Sequence, residues 1–280
     1  MILVTGATGN VGREVVSQLA AAGFLTRAFV RDPRKALHWG NRVQVAVGDL
    51  RYSESFARAA EGANSVILIA TGTDAEKFAR LLDALRENSA VRIVFISGSV
   101  AEWRHSEVGG WFREREEKVR NCGLRSTILR PCDFMSNTYQ WIATIKEQRV
   151  VYNPTRVAKT ALIAPEDVAT VAVTCLRSSD FEGQTIGFTG GESLSVLEQV
   201  HILAEVLKVP IRCVDISVQQ AVDNLTRAGM SERSARSVGE IYERTRRGES
   251  ARLTRDFARI TAKSPKTFRE WVQEHSEKFQ

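Results

Sequence analysis

Gly6, Gly9 and Gly12 stand at a spacing of three where a short apolar run ends and a helical pattern begins, in the segment VTGATGNVGREVV from Val4 to Val16. This is a spacing suited to holding phosphate. Gly6 permits a sharp turn off a strand, Gly9 presents no Cβ to an approaching anion, and Gly12 lets the helix pack close to the sheet. The free N–H groups and the positive dipole end of the helix then face the anion. In a strand–turn–helix context the expected ligand is a dinucleotide, its diphosphate held along Gly6, Thr8, Gly9, Asn10, Val11 and Gly12.

A second chemical position lies at the end of the next apolar run. Leu25 to Val30 reads as a strand and is followed by Arg31-Asp32-Pro33-Arg34. In such folds the strand tip meets the adenosine ribose, where a carboxylate accepts from the 2′-hydroxyl of NAD and a guanidinium pairs with the 2′-phosphate of NADP. Arg31 is the first residue past the strand, with Arg34 and Lys35 behind it, so NADP (NADPH) is the expected cofactor. Asp32 in the ribose role, and Arg31 as a plain surface charge, are the competing readings. After the third strand, Val43 to Val47, Asp49 and Leu50 stand where an adenine ring would lie; Asp49 is equally suited to capping the helix that starts near Ser53. Ala70, Thr71 and Gly72, at the end of a fourth strand Ser65 to Ile69, would approach the diphosphate and the nicotinamide ribose.

These positions need a scaffold, and the apolar pattern supplies one. A helix with Val11, Val15, Val16 and Leu19 on one face follows the glycines, Asp74 to Asn88 is amphipathic, and Val91 to Ile96 is a fifth strand. Five βα units in series imply an α/β fold, a doubly wound parallel Rossmann sheet with right-handed crossovers. Further on, Pro165 to Leu176 reads as a helix returning to that sheet, Gln184 to Phe188 and Ile211 to Ile216 as strands, and Ser195 to Leu207 as a helix opened by a Ser195/Glu198 cap. Helices come next at about 218–228, 231–247 and 267–276. The simplest division is a dinucleotide-binding domain over 1–152, with helix 165–178 returning to it, and a smaller C-terminal α/β lobe over 153–280.

The segments VTGATGNVG, FVRDP, VGDL, FISGS, GLRSTILRPCDFMSN (123 to 137) and IAPEDVA (163 to 169), in that order, resemble the atypical short-chain dehydrogenase/reductases of the NmrA-like branch; the closing SPKTFREWVQEH does so too. The resemblance implies a Rossmann sheet of about seven strands, with Leu124 to Leu129 as the sixth, and a substrate lobe built mainly from the residues after Pro131. It places Ser97 to Ser99, Arg130 to Asp133 (Pro131 among them) and Phe134 at the nicotinamide end of the cofactor. There Phe134 covers the ring or serves as ordinary core.

One departure bears on mechanism. Conventional members of the wider family carry Tyr and Lys four residues apart before the sixth strand, and those positions fall near Val108 and Phe112 in a helix reading GGWFREREEKVRN. No Tyr-x-x-x-Lys pair stands there, and Lys118 reads as a surface partner of Glu114. Ser99 occupies a catalytic-type position. His105, in the loop WRHSE, is the histidine nearest the expected pocket, although a lone loop histidine is usually solvated.

Two functions fit. In one, an NADPH-dependent reductase transfers hydride to a quinone, an enone or an aromatic polycyclic ketone, with the proton drawn from solvent or substrate. In the other, a catalytically silent NADP(H)-sensing regulator acts through a protein partner. Trp103, Trp111, Phe134, Tyr139, Trp141 and Tyr152 lie in segments expected to face the cleft and suit a flat aromatic substrate, while core packing explains them as well.

Composition narrows the rest. The 280 residues, 43% hydrophobic and 26% charged, suit a folded globular chain. The net charge of +6 raises the question of nucleic acid, but between Val218 and Gln280 the 13 Lys/Arg and 9 Asp/Glu are interspersed along helices, the mark of a solvated surface. No apolar run reaches the ~20 residues that span a bilayer, and no basic leader precedes the first strand, so a cytoplasmic protein is expected. Cys122, Cys132, Cys175 and Cys213 are too scattered for a zinc site or a disulfide framework, and no metal is expected. A homodimer stays open.

Overall fold

Alternating strands and helices carry the chain through a computed structural model that describes residues 1–70, 73–88 and 92–280. In order these are β1 (Ile2–Val4), α1 (Asn10–Ala21), β2 (Thr26–Val30), β3 (Gln44–Val47), α2 (Ser53–Ala60), β4 (Ser65–Leu68), α3 (Ala75–Glu87), β5 (Arg92–Ile96), α4 (Glu107–Asn121) and β6 (Arg125–Pro131). Next come β7 (Asp133–Phe134), α5 (Ile142–Gln148), β8 (Val150–Asn153), β9 (Lys159–Ile163), α6 (Pro165–Arg177), β10 (Thr185–Phe188), β11 (Glu192–Ser195) and α7 (Val196–Leu207). The chain closes with β12 (Arg212–Asp215), α8 (Val218–Arg227), α9 (Glu232–Arg246), α10 (Asp256–Thr261) and α11 (Phe268–Glu274).

Seven strands form one parallel sheet in the order β10-β6-β5-β4-β1-β2-β3. The order reverses between β1 and β4, so the carboxyl ends of those strands open a crevice there, the place where ligands bind in open α/β sheets. Val4, Val15, Val16 and Leu19 are fully buried, clamping α1 onto one face of the sheet. Phe56, Phe78 and Leu81 cover the other face with equal burial. Each such side chain contributes about 1.5–3 kcal/mol. No helix among the described residues is long and apolar enough to cross a membrane.

The lobe carries two small sheets, β11-β9-β7 and β12-β8, under a separate core that includes Met135, Leu203, Phe268 and Trp271. Ser195 and Glu198 form the expected reciprocal cap on α7, with bonds of 2.7 and 3.2 Å. The boundary between lobe and sheet differs from a single cut at residue 152. β7 already pairs with β9, while β10, counted with the lobe from sequence, pairs with β6 as the seventh strand of the main sheet. Its register, Thr185 to Phe188 against Ile128 to Pro131, is a long-range choice that strand periodicity does not encode. The α6 helix does return to the sheet: Gln18 Nε2 donates to the Glu166 carbonyl at 2.9 Å, tying α6 to α1.

One ionic knot ties α4 to the sheet. The fully buried Glu116 accepts from Ser97 Oγ at 2.6 Å, from Arg130 Nε and Nη2 at 2.8 and 2.6 Å, and from Arg120 at 2.9 Å. Burial would raise this carboxyl, but the bonds from Arg130 and Ser97 outweigh burial and hold it below its ordinary value. Its contribution is therefore present above the unfolded pKa of about 4.3 and is lost as pH falls through the lower folded value. Glu116→Gln should cost about 3 kcal/mol in urea unfolding at pH 7, by leaving Arg130 half-buried without its counter-charge. The gap between variant and wild type should hold constant from pH 6 to 8 and narrow below pH ~4; a gap independent of pH contradicts this account.

Candidate functional site

The turn between β1 and α1 is built by close approach. Gly6 has φ +59°, and a Cβ on Gly12 would lie 2.1 Å from the Gly6 carbonyl oxygen. The helix thus starts against the turn itself. Thr5 Oγ1 donates to the Ile69 carbonyl at 2.9 Å and accepts from Ile69 N at 2.8 Å, joining the ends of β1 and β4 beside the glycines. The first intrahelical bond is Arg13 N to the Gly9 carbonyl, at 3.1 Å. The N–H groups of Asn10, Val11 and Gly12 consequently point out of the helix end without acceptors among the described residues.

Those groups face a groove of 620 Å³. Gly6, Thr8, Gly9, Asn10, Val11 and Gly12 line its middle, Arg31, Lys35, Asp49 and Leu50 one end, and Ile69 and Phe134 the other. The residues fit a dinucleotide: bare amides for a diphosphate, two cations for an additional phosphate, an apolar edge at Leu50. Asp32, the competing ribose ligand, is occupied by Arg34, whose backbone N and Nε bond Oδ1 at 3.1 and 2.9 Å. Arg31 and Lys35 form no ion pair among the described residues. Asp49 does not cap α2: its carboxylate accepts from Arg51 N at 2.9 Å and Nη2 at 2.7 Å, and the Arg51 bond holds it below its ordinary value. Phe29 also lines the groove, a position its place in β2 does not announce; Gly48 makes room for the Phe29 ring, which a Cβ there would meet at 2.6 Å.

Beyond the groove lie two cavities. The larger, 340 Å³, is lined on the β7 side by Asp133, Phe134 and Trp141 and on the α9 side by Val238, Ile241 and Tyr242. The smaller, 210 Å³, runs along the ends of β6 and β10 past Ser99, Trp103, Arg130, Asp133 and Thr189. Phe134 borders both the groove and the larger cavity; Asp133 borders both cavities. Burial pushes the Asp133 carboxyl up to about 6. Tyr242 is raised by burial first and then by the Asp133 charge, which puts the two side chains within electrostatic reach.

Other expected site residues sit elsewhere. His105 is exposed on a turn at φ +59° and borders none of these spaces. Trp111 packs edge-on against Phe112 and lies 3.5 Å beneath the buried Arg115 guanidinium. Tyr139 belongs to the lobe core, against Trp271 and Phe279, with its hydroxyl accepting from Lys278 at 2.9 Å. Tyr152 is exposed on β8 and bonds Gln148 at 3.0 Å. Ser97 spends its hydroxyl on Glu116, and Ala70 and Pro131 are buried behind the groove wall. Thr71 and Gly72 lie outside the described residues. Lys118 makes no ion pair with Glu114. Sequence places Asp133 at the nicotinamide end without giving it a chemical role. Tyr242 is missed altogether and carries no local signal, since α9 reads as an ordinary surface helix more than 100 positions away.

Comparisons with known proteins agree with a dinucleotide-binding fold. A family model described as NAD(P)H-binding matches residues 6–179. A (4-alkanoyl-5-oxo-2,5-dihydrofuran-3-yl)methyl phosphate reductase of Streptomyces griseus is 33% identical, covering 100% of this chain and 99% of its own. An NAD(P)H azoreductase of Xenophilus azovorans is 30% identical, covering 100% and 99%. An Escherichia coli NADPH-dependent quinone oxidoreductase, solved with NADPH, superposes with a TM-score of 0.84 at 19% identity over 99% of this chain and 100% of that one, a likeness of fold.

Gly12→Ala should abolish dinucleotide binding, since its methyl group would meet the Gly6 carbonyl; titration with NADPH followed by protein fluorescence measures this, and wild-type affinity would contradict the packing argument. Arg31→Ala should weaken NADPH about tenfold, or ~1.4 kcal/mol, and leave NADH unchanged. An unchanged ratio of the two affinities removes Arg31 from the 2′-phosphate site.

Proposed function

The chain belongs to the NAD(P)H-binding family whose model spans more than half of it, and from that premise we propose that it is an NADPH-dependent oxidoreductase acting on a flat, conjugated acceptor such as a quinone, an enone or an aromatic ketone. The observation that carries this reading is Phe134, which walls both the dinucleotide groove and the larger cavity. A substrate in that cavity would lie alongside whatever the groove holds at its Phe134 end. The cavity offers an apolar surface over Trp141, Leu162, Val196 and Ile241, with polar side chains such as Asn137, Asn153, Thr155 and Gln199 around it, a lining suited to a flat conjugated ligand that carries oxygen or nitrogen substituents.

In this mechanism the amides of Asn10, Val11 and Gly12 hold the diphosphate, and Arg31 with Lys35 neutralises the 2′-phosphate. When bound, NADPH supplies the hydride. Phe134 fixes the plane against which an acceptor stacks, Trp141 and Val196 exclude water, and the absence of a Tyr/Lys pair is tolerable because a conjugated acceptor spreads the arriving charge over its own π-system. The names of the relatives support the same class: a 5-oxo-dihydrofuran bearing an acyl group, an azo compound and a quinone are all conjugated acceptors. An accessible cavity beside Phe134 favours turnover over silent sensing.

NADPH oxidation, followed at its absorbance band, should accelerate on addition of at least one member of a panel of quinones, enones and polycyclic ketones. Tight NADPH binding with no acceptor-dependent oxidation across the panel points to the sensor instead.

A further inference from the structure

Where the two cavities meet, a half-buried acid stands without a partner. The Asp133 carboxylate takes no hydrogen bond and no ion pair among the described residues, although every other buried carboxylate near the sheet is held by a cation or an amide: Glu116 by Arg130 and Asp167 by Lys266 N at 2.8 Å. The charged and titratable groups around it include the neighbouring Cys132, whose thiol is pushed up by burial and then by the Asp133 charge, and donates to the Asp133 carbonyl oxygen at 3.8 Å. On β6, Arg130 is forked onto Glu116. Along the smaller cavity lie Glu102, Glu249, Arg252 and Asp256, and on α9 Tyr242 faces the larger one. None of them pairs with the Asp133 carboxylate. Its residual exposure opens into the cavities, next in sequence to the ring that walls the dinucleotide groove.

We propose that Asp133 is the proton donor of the reduction, delivering its carboxyl proton to the acceptor oxygen from the wall shared by the two cavities. The assignment rests on the reductase reading above. Hydride addition brings two electrons and one proton to the acceptor and leaves a negative charge on its oxygen. The Asp133 O–H bond breaks, a new O–H bond forms on that oxygen, and water entering through the smaller cavity returns a proton to the carboxylate. Burial without a compensating cation keeps the acid protonated up to about pH 6, the range in which a carboxylic acid serves as a general acid near neutrality. This supplies in the lobe what the missing Tyr/Lys pair would supply from α4.

The test is the steady-state reduction of a soluble naphthoquinone by NADPH from pH 5.5 to 8.5, with NADPH affinity measured in parallel. Wild-type kcat/KM should fall about tenfold per pH unit above an inflection near pH ~6, as the donor loses its proton. Asp133→Asn should lower kcat about 100-fold at pH ~6, flatten the profile and leave NADPH affinity unchanged. Asp133→Glu should restore a sloping profile with a displaced midpoint. Asp133→Asn with wild-type kcat and slope overturns the assignment, as does loss of the slope in Tyr242→Phe alone. Should Asp133→Asn fail to bind NADPH, Asp133→Glu decides: a displaced midpoint supports the role, and an unshifted one ends it. Wild-type protein that reduces nothing in the panel overturns the reductase reading and this assignment together, a result distinct from turnover that ignores residue 133.

Discussion

The 2.1 Å that separates the position of a Gly12 Cβ from the Gly6 carbonyl oxygen is the constraint on which the rest of the molecule depends. Because no side chain can stand there, α1 begins in contact with the turn, and its first amides emerge at the crevice instead of being buried in a connecting loop. The two hydrogen bonds between Thr5 and Ile69 then hold β1 and β4 in register at the switch point. A row of free amides, an apolar floor at Ile69 and a sheet edge leading to Arg31 all result from one close contact.

The second half of the site is made by alternation. Asp133 and Phe134 are consecutive residues of a two-residue strand, and consecutive strand residues face opposite ways. One therefore reaches the smaller cavity while the other reaches the groove, and both touch the space between. β7 can present them because it leaves the main sheet after Pro131 and pairs with β9 of the lobe. The lobe thus reaches the Phe134 end of the groove through the strand that joins it to the sheet.

The α4 helix shows how a family position can be reused. Where a conventional member places Tyr and Lys, this chain puts Phe112 against Gly98 and buries Arg115 and Glu116, the first on Trp111 and the second under Arg130. The helix has become a structural brace. The charges of Arg115 and Glu116 are consumed internally, and Ser97 spends its hydroxyl in the same network. This moves the question of proton supply across the cleft to the lobe.

The glycine spacing, the apolar periodicity and the cation after β2 were enough to read the Rossmann sheet and an NADP(H) cofactor, because each rests on a local pattern: a turn, a helix start and a strand tip lie within a few residues of one another. Ser195 with Glu198 was legible for the same reason. The seventh strand, the Glu116–Arg130 pair and the fate of Tyr139 were decided only when distant segments packed together. An aromatic side chain carries no mark of whether it will line a cavity or fill a core, and a carboxylate carries none of whether an arginine will reach it. Sequence alone determined what could bind the dinucleotide. The tertiary structure decided what surrounds the reacting end, since that space is enclosed by β7 and α9, more than 90 residues apart, and exists only where they meet.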